Sequence, residues 1–195
     1  MPLSDEQSMM PSLIEFFSHE HNFEILKEFI DGRKARSSKD GRLSFGLLDW
    51  FNVNYSKQYG VEYKLYRMGR ERTIYVWQAY NAALDGYGKE RFDPFARGKS
   101  KGGAIALTLN VGGKDESITT TLRQLNYFRW AIENGIINYV KTHVEEIYDD
   151  FVTRSNRGGK KDDGTKKEKL SVSASKSLGI HNVKMTVKID KISVK

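Results

Sequence analysis

The chain has 195 residues, of which 38% are hydrophobic and 12% aromatic, so it can bury the core of one domain. It contains no cysteine, which excludes disulfides, thiolate nucleophiles and cysteine-based zinc or iron–sulfur sites. No segment approaches the run of about 18 apolar residues that a membrane helix needs, and the N-terminus lacks the pattern of a secretory signal. We therefore expect a soluble intracellular protein that is neither secreted nor inserted into a membrane.

The formal net charge of +7 is concentrated near the end of the chain. Residues 155–195 contain eleven Lys and Arg and four Asp and Glu, whereas the preceding residues contain 21 of each sign and are neutral. Clustered positive charge attracts phosphate groups or acidic surfaces. The alternative is a solvated tail that only keeps the protein soluble.

The N-terminal segment has apolar residues at helical spacing. They predict one broken helix, or two short ones, over residues 12–31. Ser12 and Glu15 match a capping box at its start, and Gly32 is a typical stop. The polar residues 31–42 are expected to form a loop.

The middle of the chain mixes helical and strand patterns. A helix is predicted over 43–58, ended by Gly60, and the alternation that follows predicts a strand over 61–66. Residues 73–87 begin with a strand-like composition, but their apolar spacing favours a helix. Residues 91–97 are expected to form an aromatic turn, because a proline follows Asp93 and disfavours helix there.

The second half predicts a strand over 104–110, a turn over 111–117 and one long helical element over 121–153, which Gly135 bends. A low-complexity polar linker follows, and Val, Met and Ile alternate with polar residues over 183–189, as in a strand. An isolated strand is unstable, so we expect this one to join a sheet of the protein or of a partner.

These elements predict a helix-dominated α+β fold, in which several helices surround one long helix and a small β-sheet, followed by a basic C-terminal tail. The small sheet would combine 61–66, 104–110 and the terminal strand. The predicted domain organisation is a globular helix-rich domain over 1–154, a polar basic linker over 155–169 and a basic strand-forming tail over 170–195.

No pattern in the sequence predicts catalysis, a metal site or a cofactor. Gly98-Lys99-Ser100 is similar to the end of a phosphate-binding P-loop, but Asp93 stands where that motif needs its first glycine. His19 and His21 lack further ligands at metal-binding spacing. The acidic pairs 145–146 and 149–150 are adjacent on a helix, where carboxylates diverge, and are expected to form a solvated face. The protein is therefore predicted not to be an enzyme.

Basic residues in loops and in the tail are the candidate nucleic-acid-binding residues, because phosphate contacts need Arg and Lys. Aromatic residues lie beside some of these loops and could stack on unpaired bases. The alternative is that the rings belong to the core and the charges are ordinary loop charges. The predicted residues are Arg33, Lys34, Arg36, Arg97, Lys99, Lys101, Lys160, Lys161, Lys166, Lys167, Lys169, Lys176, Lys184 and Lys188. A further basic group is Arg67, Arg70 and Arg72.

Four segments together resemble a family of small proteins of large nucleocytoplasmic DNA viruses, the relatives of mimiviruses, phycodnaviruses and marseilleviruses. The segments span 43–63, 80–99, 118–140 and 173–190, and their most specific clusters are D-W-F, F-D-P-F and N-Y-F-R-W-A-I. The chain departs from the expected doubly basic step after F-D-P-F, where it has Ala96-Arg97. The resemblance implies a viral setting, in the virus factory of the host cytoplasm, the host nucleus or the virion, and supplies no catalytic residues.

Two functions are compatible with these observations. The first is a non-enzymatic nucleic-acid-binding accessory protein, whose partner is the phosphate backbone or an acidic viral protein surface. The alternative is a virion structural or scaffold protein, in which the tail strand augments the sheet of a capsid or core partner. A homo-oligomer is compatible with either.

Overall fold

The computed structural model describes residues 5–34, 43–95, 103–111, 113–157 and 183–189. In these ranges the chain forms nine α-helices, one π-helical stretch and five strands. The helices are α1 Asp5–Ser18, α2 Glu20–Lys34, α3 Phe45–Trp50, α4 Ser56–Tyr59, α5 Val76–Tyr87, α6 Lys89–Phe92, α7 Leu122–Glu133, α8 Ile136–Thr142 and α9 Val144–Arg157. The π-helical stretch is Phe51–Tyr55, and the strands are β1 Glu62–Arg67, β2 Arg70–Tyr75, β3 Ala104–Val111, β4 Lys114–Thr120 and β5 Val183–Ile189.

The strands form two separate sheets. Strands β1 and β2 pair as an antiparallel hairpin. In the other sheet the strand order is β4-β3-β5, with β4 antiparallel and β5 parallel to the central strand β3. The prediction that the terminal strand joins 104–110 is confirmed, but the prediction that 61–66 lies in the same sheet is wrong. That segment is followed by a partner strand in sequence, and a two-residue turn pairs the two locally.

Helix α7 lies at the centre of the core. Its residues are buried on nearly all sides, and Phe128, which is fully buried, packs its ring against Phe29 at 5.2 Å and Phe45 at 5.4 Å. The rings of Phe92 and Phe95 lie 5.9 and 5.2 Å from that of Tyr127 on the same helix. These contacts join α2, α3, α6 and the segment after it around α7. The predominance of helices over the two small sheets confirms the predicted helix-dominated α+β class.

The N-terminal segment, predicted as one broken helix or two short ones, forms two helices that are separated at His19. Helix α1 already begins at Asp5, so the capping box predicted at Ser12 is wrong. Ser12 lies inside the helix, where its hydroxyl donates to the carbonyl oxygen of Met9 at 3.2 Å and accepts from Arg129 at 3.0 Å. Helix α2 also passes the expected stop at Gly32 and ends at Lys34.

The helix predicted over 43–58 is confirmed in position. The Ser44 hydroxyl caps it by accepting a hydrogen bond from the amide of Leu47 at 3.2 Å, and Gly60 ends it in the left-handed conformation, with φ of 57°. The π-helical stretch within it was not predicted, because a wider helical turn leaves no distinct pattern of residue types.

The long helical element predicted over 121–153 is three helices. Gly135, with φ of 72°, separates α7 from α8, and His143 separates α8 from α9. The apolar stripe continues across both breaks, which is why periodicity alone did not reveal them. Helix α9 extends to Arg157, three residues beyond the predicted domain boundary.

Two predicted segments are strands in part. Residues 73–75 belong to β2, and the predicted helix begins only at Val76. The turn predicted over 111–117 is shorter than expected, because β4 starts at Lys114. Residues 114–117 of β4 are all polar, so they lack the alternation of a half-buried strand. Residues 73–75 have a strand-like composition, but their apolar spacing with the residues that follow favoured a helix.

Candidate nucleic-acid interface

The β1–β2 hairpin packs one of its faces on the junction between α7 and α8. The Tyr63 hydroxyl donates to the carbonyl oxygen of Asn134 at 2.6 Å, and its ring stacks on Tyr139 with centroids 4.9 Å apart. A Cβ atom on Gly135 would lie 3.3 Å from Leu65 Cδ1, so the absence of a side chain there lets the hairpin approach closely. These contacts hold the base of the hairpin against the domain.

Two arginines of the hairpin bind the C-terminal end of α7. Arg67 Nη1 and Arg72 Nη2 donate to the carbonyl oxygen of Glu133 at 3.1 and 3.2 Å. Arg72 Nη2 also donates to Asn134 Oδ1 at 3.0 Å. Cations are favoured at this end of a helix because its free carbonyls carry partial negative charge. These two side chains therefore position the hairpin, a role that sequence reasoning missed.

The tip of the hairpin projects apolar and basic groups into solvent. Met68 is 91% exposed and Tyr66 is 73% exposed. Met68 has φ of 51° and Gly69 has φ of 74°, so both turn residues adopt positive φ. Arg70 is exposed and makes no ion pair or hydrogen bond with other side chains in the described part of the chain. The tip thus carries an apolar side chain beside a cation that no described side chain neutralises.

An open groove of about 240 Å³ lies between the hairpin and α8. Its lining is aromatic and polar, and the ring of His143 stacks on Tyr139 with centroids 4.1 Å apart. The Nδ1 atom of His143 lies 2.9 Å from the carbonyl oxygen of Tyr139. The lining residues are Tyr63, Leu65, Gly135, Asn138, Tyr139, Thr142 and His143.

The three-stranded sheet has one buried and one polar face. Ile105, Leu107 and Leu109 of β3 are buried, whereas Thr108 lies on the other face and shares a hydrogen bond of 2.7 Å with Ser117. Strand β5 brings two lysines of the basic tail to this sheet. Lys188 pairs in register with Thr108. Lys184 has no partner in the ladder, because Ala104 pairs with Val183 and the next residue, Ile105, pairs with Met185. The sheet therefore joins the basic segment to the domain.

Four of the fourteen predicted nucleic-acid-binding residues lie in the described part of the chain. Arg33 and Lys34 lie at the end of α2, and Lys184 and Lys188 lie in β5; for these four, the backbone alone is described. The others lie outside the described residues: Arg36, Arg97, Lys99, Lys101, Lys160, Lys161, Lys166, Lys167, Lys169 and Lys176. Their role in binding stays a prediction.

The aromatic residues that lie beside the basic loops in the sequence are Tyr63, Tyr66, Phe92 and Phe95, and they divide into two groups. Phe92 is fully buried and Phe95 packs against Phe45 and Tyr127, so these rings belong to the core. Tyr63 stacks on Tyr139, and Tyr66 is the one of these four rings that is largely exposed. The sequence offers one signal for the tip, the basic residues on both sides of Met68-Gly69, but a lone methionine has no pattern that predicts exposure.

Asp150 is not part of the solvated acidic face expected over 145–150. Its carboxylate is only 11% exposed and accepts hydrogen bonds from Trp50 Nε1 at 2.8 Å, the Tyr59 hydroxyl at 2.9 Å and Arg154 Nε at 2.7 Å. Burial by itself would raise the pKa of this group, but the three hydrogen bonds together hold its pKa below the ordinary value. Asp149 is exposed, as predicted.

The three most specific sequence clusters meet in the core. Asn52, from the helix that carries D-W-F, donates through Nδ2 to the Tyr127 hydroxyl at 2.7 Å, and Asn126 Nδ2 donates to the carbonyl oxygen of Arg91 at 2.9 Å. Burial, with Asp93 nearby, raises the pKa of Asp49. Among the described residues no group of three or more His, Asp or Glu is placed to hold a metal ion. These clusters therefore hold the helices together in the described structure.

The fold and surface define a helix-dominated α+β protein with a basic hairpin and a strand from a basic tail. A family described as a family of unknown function, DUF7197, matches residues 3–193, and the chain belongs to that family. It is 34% identical over 129 residues to Uncharacterized protein L507 of Acanthamoeba polyphaga mimivirus. The alignment covers 66% of this chain and 49% of the relative, so the chain spans about half the length of that protein. No solved structure matches the chain significantly.

These comparisons confirm the resemblance to a family of large nucleocytoplasmic DNA viruses. Within the described ranges, none of the helices has the length and apolar character needed to cross a membrane.

Proposed function

We propose that the protein is a non-enzymatic nucleic-acid-binding accessory protein of a large DNA virus, which acts in the virus factory of the host cytoplasm or in the virion. The observation that carries this proposal is the segregation of charge. The whole net charge of +7 lies in residues 155–195, and the preceding residues are neutral. A charge distribution of this kind attracts a polyanion to one part of the molecule.

The structure supports the proposal through the position of β5. This strand pairs along β3 over Ala104–Leu109, so the basic segment is attached to the domain at its far end as well as through α9. Phosphates bound by Lys184 and Lys188, the two lysines of this strand, would therefore lie beside the sheet of the domain. The hairpin tip adds Arg70, a cation that no described side chain neutralises.

Binding that depends on phosphate contacts is tested by its salt dependence. We expect the affinity of the full chain for duplex DNA, measured by fluorescence anisotropy, to fall steeply between low and moderate salt, because each phosphate contact releases counterions. Replacing Lys160, Lys161, Lys166, Lys167 and Lys169 by Gln should weaken binding and reduce the log–log salt slope by up to about 4.5, at roughly 0.9 per lost contact. These lysines lie outside β5, so the strand is retained.

A matched variant in the same segment should act in the opposite direction. Replacing Asp162, Asp163 and Glu168 by Asn, Asn and Gln removes repulsion and should tighten binding. Circular dichroism melts of all variants check that the fold is retained. If the full chain fails to bind at low salt, or if the lysine variant binds with unchanged affinity and slope, the proposal is wrong.

The virion scaffold alternative was drawn from a terminal strand that needs a partner. Strand β5 has such a partner in β3 of the same chain, so this observation does not call for a second protein. Quantitative mass spectrometry of purified particles distinguishes the two roles. Hundreds of copies or more per virion would favour the scaffold, whereas absence from particles would exclude it.

A further inference from the structure

The turn of the β1–β2 hairpin has an unusual residue in its first position. A two-residue turn with positive φ at both positions ordinarily has Asn, Asp or Gly first, because other side chains are strained in the left-handed region. Here the residue is Met68, with φ of 51°. Local backbone preference therefore does not explain the methionine.

Burial does not explain it either. The Met68 side chain is 91% exposed, and the neighbouring Tyr66 is 73% exposed. Water contact with a long apolar side chain is unfavourable. Exposure of one apolar side chain is common on protein surfaces, but Met68 is also held in a strained backbone conformation. The two features together make Met68 a candidate for a contact outside the molecule.

The hairpin is built to hold this side chain outward. Arg67 and Arg72 bind the C-terminal end of α7, and the Tyr63 hydroxyl binds the Asn134 carbonyl at 2.6 Å. The hairpin is thereby fixed from Tyr63 to Arg67, and the turn at Met68-Gly69 projects beyond these contacts. A tip on a rigid base can penetrate a partner with little loss of conformational entropy on binding.

The charge around the tip identifies the kind of partner. Of the three arginines in residues 66–72, Arg67 and Arg72 are bound at the end of α7, and Arg67 also lies 3.8 Å from the Glu133 carboxylate. Arg70 lies directly beside the turn, and no described side chain pairs with it. A cation next to an exposed apolar side chain complements a partner that presents a phosphate beside an apolar stack. Duplex DNA has this arrangement, because base pairs stack between two phosphate backbones.

We propose that Met68 is a wedge that inserts between adjacent base pairs of duplex DNA, with Arg70 contacting the flanking phosphate. Apolar side chains, methionine among them, unstack base steps in this way from the minor groove and kink the duplex. The inference rests on the proposed nucleic-acid binding and deepens it, since it assigns the tail to affinity and the hairpin to recognition of deformable sites. Unstacking costs least at a mismatched pair, so a wedge should prefer mismatched duplexes.

The test compares the affinity of the full chain for a duplex with one central mismatch and for the same duplex fully paired. We expect about tenfold tighter binding to the mismatched duplex. Met68→Asn should reduce this ratio to about one and leave the salt dependence that the tail supplies. Because asparagine tolerates positive φ, the melting temperature of this variant should be equal to or higher than that of the parent.

Two further variants make the result specific. Met68→Leu keeps an apolar wedge and should keep the mismatch preference. Val53→Ala shortens another exposed apolar side chain, on the π-helical stretch, and should change neither affinity nor preference. The mismatch step is also monitored with 2-aminopurine beside it, whose fluorescence should rise with the parent chain and not with Met68→Asn.

The outcomes separate the two proposals. Salt-dependent binding without a mismatch preference, or a preference that persists in Met68→Asn, overturns the wedge and leaves the proposed function standing. Binding to single strands but not to duplexes also overturns the wedge. If the full chain binds no nucleic acid at low salt, both proposals fail.

Discussion

At the scale of single residues, one carboxylate joins three parts of the chain. Asp150 of α9 accepts hydrogen bonds from Trp50 at the end of α3, from Tyr59 at the end of α4 and from Arg154 on its own helix. The ring of Phe151 adds an edge contact with Trp50 at 5.6 Å. Charged acceptors that are largely shielded from water make strong hydrogen bonds, so this group anchors α9 to the helices before the hairpin.

We predict that Asp150→Asn destabilises the protein by about 1–2 kcal/mol at pH 7, or roughly 4 °C in melting temperature, because the amide turns a donor toward Arg154. The pKa of Asp150 is lowered on folding from its ordinary value of 3.8. Its stabilising contribution is therefore complete above about pH 4 and is lost as pH falls through the lower folded pKa. Thermal melts from pH 7 to pH 2.5 should show the difference from the parent shrinking in acid.

Asp149→Asn is the matched control for this prediction, since Asp149 is the exposed neighbour on the same helix. It should have a small effect at every pH. Equal losses for the two variants, or a difference between Asp150→Asn and the parent that does not change with pH, would contradict the assigned network.

At the scale of elements, Gly135 decides how the helices of the second half are arranged. Its φ of 72° turns the chain between α7 and α8, and its open side admits Leu65 and Tyr63 of the hairpin. The same residue thereby breaks an apolar stripe into two helices and creates the surface on which the hairpin base packs. Any other side chain must adopt a strained conformation and meet the Leu65 methyl group.

We predict that Gly135→Ala costs about 1–2 kcal/mol in stability, mainly because alanine is disfavoured in the left-handed region. Gly60→Ala is the control, since Gly60 has a similar φ of 57° but no atom within 4 Å of the position that an added Cβ would take. Urea unfolding of both variants should show the larger loss at Gly135, because Leu65 Cδ1 must also move. A neutral Gly135→Ala would show that this bend is not required.

At the scale of the whole molecule, the three-stranded sheet connects the tail to the domain. Strand β5 pairs with β3 from Ala104 to Leu109, and the buried residues of β3 therefore have a neighbouring strand on each side. The helical core around α7 is formed before residue 158. The division into a domain over 1–154, a linker and a tail stays a prediction. It depends on how much the pairing of β5 with β3 contributes to the stability of the domain.

We predict that deleting residues 158–195 leaves a cooperative thermal transition but lowers the melting temperature by several degrees. The helical core remains, while β3 loses one ladder of hydrogen bonds and an exposed edge is created. As a control, replacing 158–182 by a Gly/Ser segment of equal length keeps β5 and should melt close to the parent. Loss of the cooperative transition on deletion would show that the tail belongs to the domain.

The sequence by itself determined the elements whose signals are local. The fold class, the helix over 43–58 and the strand near Ala104 follow from helical or alternating periodicity, and the end of that helix follows from Gly60. The charge segregation is likewise a property of composition. The sequence was also sufficient for the family resemblance, because motif clusters such as D-W-F consist of consecutive residues.

Only the tertiary structure decided what depends on contacts between distant residues. The sequence indicated a bend at Gly135, but only the structure shows that the chain is fully broken there and again at His143. Periodicity does not reveal either break, because the same apolar stripe continues through all three helices. The sequence places Arg67 in a basic group without a defined partner, whereas in the fold its guanidinium donates to the carbonyl oxygen of Glu133. Met68 is a candidate for contact with DNA because no described part of the fold packs against its side chain. Exposure and hydrogen-bond partners are set by packing, and local sequence does not encode which surface the fold leaves free.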